Sequence, residues 1–142
     1  MIIDHIGIAC SDASKFLETF ADTLKGNKHT SQIYSDMGLS STLIDFNSTK
    51  LELMEPISNS NILKGFIDKR GDGLHHISFK VENLQTFYDK LNPSGDVFLH
   101  EIKCLEKEDT IQRYTFFNLK FSKGILIELF DEIPKKKGGP YE

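Results

Sequence analysis

The sequence predicts an α+β fold built from two copies of a βαβββ unit. One observation is that the run His5–Ala9 returns as His76–Lys80, and each run is followed by a helical pattern of large apolar residues. These residues lie 11 and 15 positions after each histidine, at Phe16 and Phe20 and then at Phe87 and Leu91. The other observation is that the copies end alike, with Leu51–Glu55 reading LELME and Ile127–Asp131 reading IELFD. Repeats of this kind are typical of duplicated modules.

Each copy then divides into elements by its hydrophobic period. The first copy predicts a strand near 2–9, a helix near 12–25 and strands near 30–35, 40–46 and 49–54. The second predicts a strand near 74–81, a helix near 83–92 and strands near 96–104, 112–119 and 125–130. Asp12 and Asn83 precede the helices and have side chains suited to an N-cap.

We expect residues 1–142 to form a single domain. Module one spans about 1–56, a connecting helix about 57–72, module two about 73–131 and a polar tail 132–142. The connecting segment opens with capping residues and closes on glycines, which is typical of a short helix. Ile62 and Phe66, with Leu63 as a further candidate, are expected on its buried side.

Composition excludes several classes of function. The chain has 39% hydrophobic residues and a net charge of -4, which does not favour nucleic acid as a partner. It has no apolar stretch of about 18 residues, so no membrane span is expected. Met1–His5 lacks the basic region of a signal peptide, and Cys10 and Cys104 are widely spaced. We therefore expect free thiols and a cytoplasmic protein.

Four residues stand out by their place in the repeat. His5 and His76 lie in the first strand of each copy, and Glu52 and Glu128 lie between aliphatic residues in the last strand. Alternate residues of a strand share a face, so His5 points to the same side as small Gly7. A carboxylate in the middle of an apolar strand is costly to bury without a partner.

A divalent metal ion explains all four residues together. It would neutralise both carboxylates and accept both imidazoles, and it would keep open coordination positions. This pattern suits Zn, Ni, Co, Mn or Fe in a catalytic site rather than a closed structural zinc site. His75 competes with His76, but the repeat aligns His76 with His5. His29 and His100 have no counterpart in the repeat and are expected at the surface.

These residues resemble the vicinal oxygen chelate superfamily, which includes glyoxalase I, methylmalonyl-CoA epimerase, extradiol dioxygenases and resistance proteins. The motifs are most similar to the epimerases: Asp4–Ala9, Lys50–Pro56, Phe66–Ile77 with its Gly-Leu-His-His-Ile stretch, and Gly124–Leu129. The resemblance implies paired βαβββ modules forming a half-open mixed-sheet barrel. It places His5, Glu52, His76 and Glu128 at the metal-ligand positions. Ser41 stands where some epimerases carry a second carboxylate base.

The resemblance also implies an activity. We expect a metal-dependent epimerase or isomerase that removes a proton next to a carbonyl, with Glu128 or Glu52 as the base. The substrate is expected to be a small molecule, with an acyl-CoA as one candidate, and the protein a homodimer. Three alternatives stay open: a glyoxalase-I-like lyase, a metal-free module that binds a small molecule, and an extradiol-type oxygenase.

Overall fold

The computed structural model describes residues 1–59 and 61–136. Within them the chain forms two compact units. The first contains residues 3–77, and the second contains residues 1–2 and the chain from residue 78 onward. Each unit mixes strands with a few helices, so the predicted α+β class is confirmed. The end of the predicted tail, 137–142, lies outside the described residues.

The first unit contains the βαβββ order that the repeat predicts, with one additional short strand. Its sheet has the order β2-β4-β5-β1-β6, and β3 pairs with β4. Strands β1 and β5 are parallel, whereas β4 and β5 are antiparallel. The strands are β1 (Ile2–Ala9), β2 (Asn27–Lys28), β3 (Gln32–Tyr34), β4 (Leu39–Phe46), β5 (Thr49–Pro56) and β6 (Gly73–Lys80), whose last three residues belong to the second unit.

Two helices accompany this sheet, and both differ in detail from prediction. Helix α1 (Ala13–Leu17) continues as a π-helix (Glu18–Thr23), so the predicted helix near 12–25 is not uniformly α-helical. The connecting helix is α2 (Ile62–Arg70). Ile62 is 90% exposed, so its predicted burial is wrong, and Leu63 takes the buried position instead. Ile62 is the first residue of α2 and directly follows the N-cap Asn61.

The second unit repeats the order with fewer residues in strands. Helix α3 (Leu84–Leu91) follows β6, and β7 (Lys103–Glu106), β8 (Thr110–Phe116) and β9 (Ile127–Pro134) pair antiparallel in the order β7-β8-β9. The predicted strand near 96–104 is largely wrong, because only its last two residues belong to β7. Before β7, Phe98 forms a single bridge with Phe117, and the Asn92 side chain accepts from the Val97 N–H.

The caps and the helix faces follow the repeat. Asp12 accepts from the Ser14 N–H at 3.0 Å, and Asn83 accepts from the Thr86 N–H at 3.0 Å, which confirms both predicted N-caps. Phe16 and Phe20 pack on a core of Ile8, Cys10, Ile44 and Leu53 in the first unit. Phe87 and Leu91 pack in the second unit on Val81, Leu84, Phe98 and Leu129. The shared offset of these apolar residues therefore reports a shared packing face.

The acid that ends each repeat anchors a helix. Glu55 accepts from the Ala13 N–H at 3.0 Å, and Asp131 accepts from the Leu84 N–H at 2.8 Å. Both contacts satisfy a donor in the first turn of the helix, which has no partner within the helix itself. Asp131 is buried and also forms a two-pronged ion pair with Arg113.

Both cysteines are free thiols, as predicted, with Cys10 buried and Cys104 exposed. Burial, with smaller contributions from the charges of Asp72 and Glu55, raises the pKa of Cys10 to about 12. None of the helices in the described residues is long and apolar enough to cross a membrane.

Replacing Asp131 with Asn should lower the free energy of unfolding at pH 7 by about 2–3 kcal/mol, because charged hydrogen bonds to Arg113 and to the start of α3 are lost. Burial raises the pKa of Asp131, but the hydrogen bonds from Arg113 and the Leu84 N–H, with the Arg113 charge, outweigh it and lower the pKa below 3.8. The carboxylate therefore stabilises the fold above that value, and its contribution disappears as the pH falls through the lowered pKa.

Urea unfolding at pH 7 and at a series of acidic pH values measures this difference. The matched control is Glu132→Gln, which removes an exposed ion pair with Lys107 from the same strand and should change stability by less than about 1 kcal/mol. Equal effects of the two substitutions would contradict the anchoring role of Asp131.

Candidate metal centre

Three of the four predicted ligands meet in the first unit. His5 on β1 and His76 on β6 approach with their Nε2 atoms 3.1 Å apart. Oε1 of Glu52, on β5, lies 3.7 Å from Nε2 of His5 and 3.8 Å from Nε2 of His76. The parallel register places Glu52 beside Gly7, two residues along from His5. One ligand atom from each residue lies within 4.8 Å of the others, so this group can hold a metal ion.

Gly7 makes room for this approach. A β-carbon at position 7 would lie 2.1 Å from Cε1 and 2.2 Å from Nδ1 of His76, far closer than van der Waals contact allows. The inference that small residues beside His5 leave space above the strand is therefore confirmed. The His76 ring occupies that space.

One carboxylate oxygen of Glu52 is held by a hydrogen bond, and the other faces the two histidines. The Ser41 hydroxyl donates to Oε2 of Glu52 at 2.9 Å, while Oε1 is the oxygen that faces the two imidazoles. The neighbours Leu51 and Leu53 pack on the core on the other side of β5, as alternation predicts. Ser41, at the position where some epimerases carry a carboxylate, therefore fixes the orientation of the Glu52 carboxylate.

The surroundings keep the His76 imidazole in the form that binds metal. Both histidines are only 7% exposed. Burial, with smaller contributions from the charges of His5 and His75, lowers the pKa of His76 to about 3, so its ring is neutral at pH 7. Neutral imidazole nitrogen and carboxylate oxygen are ligands for Zn²⁺ and similar divalent ions. The donor set therefore fits the predicted ion.

Glu128 belongs to the second unit. It lies on β9 opposite Phe116 of β8, and its Oε1 accepts from the Ser78 hydroxyl at 2.6 Å. Burial, followed by the Glu128 charge, raises the pKa of Tyr114 on β8. Ser78 occupies the repeat position of Gly7. Glu128 as a fourth ligand stays a prediction.

The two remaining histidines differ in their exposure to solvent. His29 is exposed and pairs with Asp45, as expected for a surface residue. His100 is half-buried and packs edge-on against Tyr114 and Phe116, with ring centroids 6.3 Å and 6.0 Å away. Its expected surface position is therefore only partly correct, because the irregular chain before β7 folds back over β8.

Two residues that the sequence reasoning did not assign to the site also contact it. Oδ2 of Asp4 lies 2.8 Å from Nδ1 of His5. Nδ1 of His75 lies 3.0 Å from Nδ1 of His76, and the His75 ring packs edge-on against Phe66 of α2. Both residues directly precede a ligand histidine in the repeat. That shared position is the sequence feature that could have assigned them to the site. His75 was weighed only as a competitor of His76.

Fold and site together define a class: an α+β protein of two βαβββ units, with two buried histidines and a half-buried glutamate that can hold a divalent ion. The family model described as the Glyoxalase/Bleomycin resistance protein/Dioxygenase superfamily matches residues 4–113. The chain belongs to this superfamily.

Several individual relatives are named as epimerases. The chain is 29% identical over 94 residues to the ethylmalonyl-CoA/methylmalonyl-CoA epimerase of Cereibacter sphaeroides, covering 66% of this chain and 70% of the relative. It is similar to the crystal structure of methylmalonyl-CoA epimerase from Mycobacterium tuberculosis, with a TM-score of 0.80, 28% identity and coverage of 93% and 88%. A variant of the Streptomyces coelicolor methylmalonyl-CoA epimerase in complex with 2-nitronate-propionyl-CoA matches with a TM-score of 0.80, 25% identity and coverage of 92% and 94%. These likenesses confirm the predicted resemblance and fold.

Replacing Gly7 with Ala should displace the His76 ring from the group. We expect the free energy of unfolding to fall by about 1–3 kcal/mol, as for an overpacked core, and metal affinity to fall with it. Urea unfolding of the metal-free protein and zinc titration measure the two effects.

The matched control is Gly65→Ala in α2. A β-carbon there meets nothing within 4 Å, so this change should be neutral or stabilise the helix by up to about 1 kcal/mol. Zinc affinity equal to wild type in Gly7→Ala would show that His76 does not need that space.

Proposed function

We propose that this protein is a divalent-metal-dependent epimerase that moves the proton on the carbon next to the thioester carbonyl of a substituted malonyl-CoA. The observation that carries the proposal is the group of buried His5, half-buried Glu52 and buried His76. The relatives named as methylmalonyl-CoA epimerases support the substrate class.

The three residues have distinct tasks in this proposal. His5 and His76 would hold the ion through Nε2, and Glu52 through Oε1, because Oε2 is engaged by Ser41. The bound ion would supply a Lewis acid that stabilises negative charge on a carbonyl oxygen. Glu128 matches Glu52 in module one, so it would be a fourth ligand in the resting site and would leave the ion when it acts as the base.

The proton is moved by a carboxylate. Glu128 takes the proton from the α-carbon, and the electron pair of the broken C–H bond passes to the carbonyl oxygen as an enolate. A proton then reaches the opposite face of that carbon from water, and the hydroxide that remains recovers the first proton from Glu128, which completes epimerisation. The Ser78 hydroxyl orients Glu128 by donating to Oε1. Glu52 is the second candidate base, but its bond to Ser41 and its position between the two imidazoles favour a ligand role.

Two measurements separate this proposal from two of the three alternatives left open by the sequence. A glyoxalase-I-like lyase would turn over the adduct of methylglyoxal and glutathione and would leave methylmalonyl-CoA unchanged. A metal-free binding module would contain no divalent ion after purification and would gain no activity from added Zn²⁺, Ni²⁺, Co²⁺, Mn²⁺ or Fe²⁺.

Replacing Glu128 with Gln should reduce turnover at least about 100-fold, because a positioned base contributes about 10²–10⁴-fold and an amide cannot take the proton. Binding of methylmalonyl-CoA should persist. The measurement is deuterium incorporation at the α-carbon in D₂O, followed by NMR, with substrate binding measured by calorimetry.

Two further variants serve as comparisons for Glu128→Gln. Glu132→Gln, on the same strand and outside the proposed site, should exchange the α-proton at the wild-type rate. Glu52→Gln should lose metal affinity as well as activity. Full exchange activity in Glu128→Gln would remove Glu128 as the base.

A further inference from the structure

We infer that Asp4 and His75, the residues directly before the two ligand histidines, orient His5 and His76 so that each presents Nε2 to the metal. This inference rests on the metal centre of the proposed function and adds two positioning residues to it. Metal-binding histidines generally donate their second ring N–H to a neighbouring acceptor, which fixes the tautomer and the ring orientation.

Asp4 meets this requirement for His5. Its carboxylate oxygen Oδ2 lies 2.8 Å from Nδ1 of His5, and its side chain is only 18% exposed. A carboxylate accepts and does not donate, so the proton lies on Nδ1 and the lone pair on Nε2. The other oxygen, Oδ1, lies 3.5 Å from Nζ of Lys50. Lys50 pairs in register with His5 across β1 and β5, which places its ammonium group beside the Asp4 carboxylate.

His75 meets the requirement for His76 by a different route. The two Nδ1 atoms are 3.0 Å apart, so one donates and the other accepts. Coordination of metal by Nε2 of His76 requires its proton on Nδ1, which makes His75 the acceptor and places the His75 proton on Nε2. The edge-on contact with Phe66, with ring centroids 4.7 Å apart, holds the His75 ring in that orientation.

Asp4 and His75 occupy matching positions in the repeat, but they differ in strength as hydrogen-bond acceptors. Positions 4 and 75 are equivalent in the two copies, yet one holds an anion and the other a neutral ring. A carboxylate acceptor makes an imidazole a more basic ligand than a neutral acceptor does. His5 is therefore the stronger donor of the two, and Asp4 contributes more to metal affinity than His75.

A purely structural role for these residues makes different predictions. If Asp4 only stabilised β1 through Lys50, its loss would lower the unfolding midpoint of the metal-free protein and leave metal affinity unchanged. Zinc affinity and the unfolding midpoint of the metal-free protein therefore have to be measured on the same variants.

The experiment is competition for Zn²⁺ against a chelator at one fixed pH. Asp4→Ala should weaken affinity about 10- to 100-fold, the range typical of residues that support metal ligands. Asp4→Asn retains an acceptor without charge and should fall between Asp4→Ala and wild type. His75→Leu should weaken affinity by less than Asp4→Ala. The control Asp45→Asn breaks the other His-Asp pair of the unit, with His29, and should bind zinc like wild type.

Wild-type zinc affinity in both Asp4→Ala and His75→Leu would overturn the inference, as would an equal loss in Asp45→Asn. A second measurement, made on the wild-type protein, tests the inference even if a variant fails to fold. In the zinc-loaded wild-type protein, ¹⁵N NMR should find the proton on Nδ1 of His5 and His76 and on Nε2 of His75. A proton on Nε2 of His5 or His76, or no zinc binding, overturns the inference. Correct tautomers in a protein that leaves methylmalonyl-CoA unchanged would overturn the proposed substrate and retain the positioning role.

Discussion

The first unit depends on the placement of two buried imidazoles beside one half-buried carboxylate. Polar groups in such a position are costly unless they find partners, and each of these three has one on its outer side. Asp4 serves His5, His75 serves His76 and Ser41 serves Glu52. The inner atoms, both Nε2 and Oε1, are thereby turned toward a common point. The strands set the positions of the three ligands, and the neighbouring side chains set the orientation of their ligand atoms.

Duplication explains much of the remaining architecture. In each unit a capped helix packs on its sheet, and the acid that ends the repeated motif of the last strand binds the first turn of that helix. Equivalent positions of the two copies can have different roles, as Gly7 and Ser78 show. One leaves space for a ring, and the other donates a hydroxyl to a carboxylate. Duplication therefore preserved the framework while the contacts near the ligands diverged.

The sequence was informative where a requirement is local or repeated. The N-caps at Asp12 and Asn83, the helix faces and the convergence of His5, Glu52 and His76 follow from side-chain chemistry and strand alternation. The irregular chain before β7 could not be predicted, because its course depends on separate contacts such as those of Asn92 and Phe98. The exposure of Ile62 depends on where α2 begins its first turn. Asp4 and His75 were missed because adjacent residues in a strand were assumed to point apart, whereas their side chains reach sideways to the next ring.

The two helix anchors differ in a way that bears on how the protein opens. Asp131 faces Arg113 across the β8–β9 ladder, but the residue facing Glu55 across the β4–β5 ladder is Ser40, which carries no charge. The start of α3 is therefore fixed to a charged pair and the start of α1 to a carboxylate alone. In thermal fluctuations short of full unfolding, α1 should detach more often than α3, so the backbone amides of the first helix would be the earlier of the two to exchange with solvent.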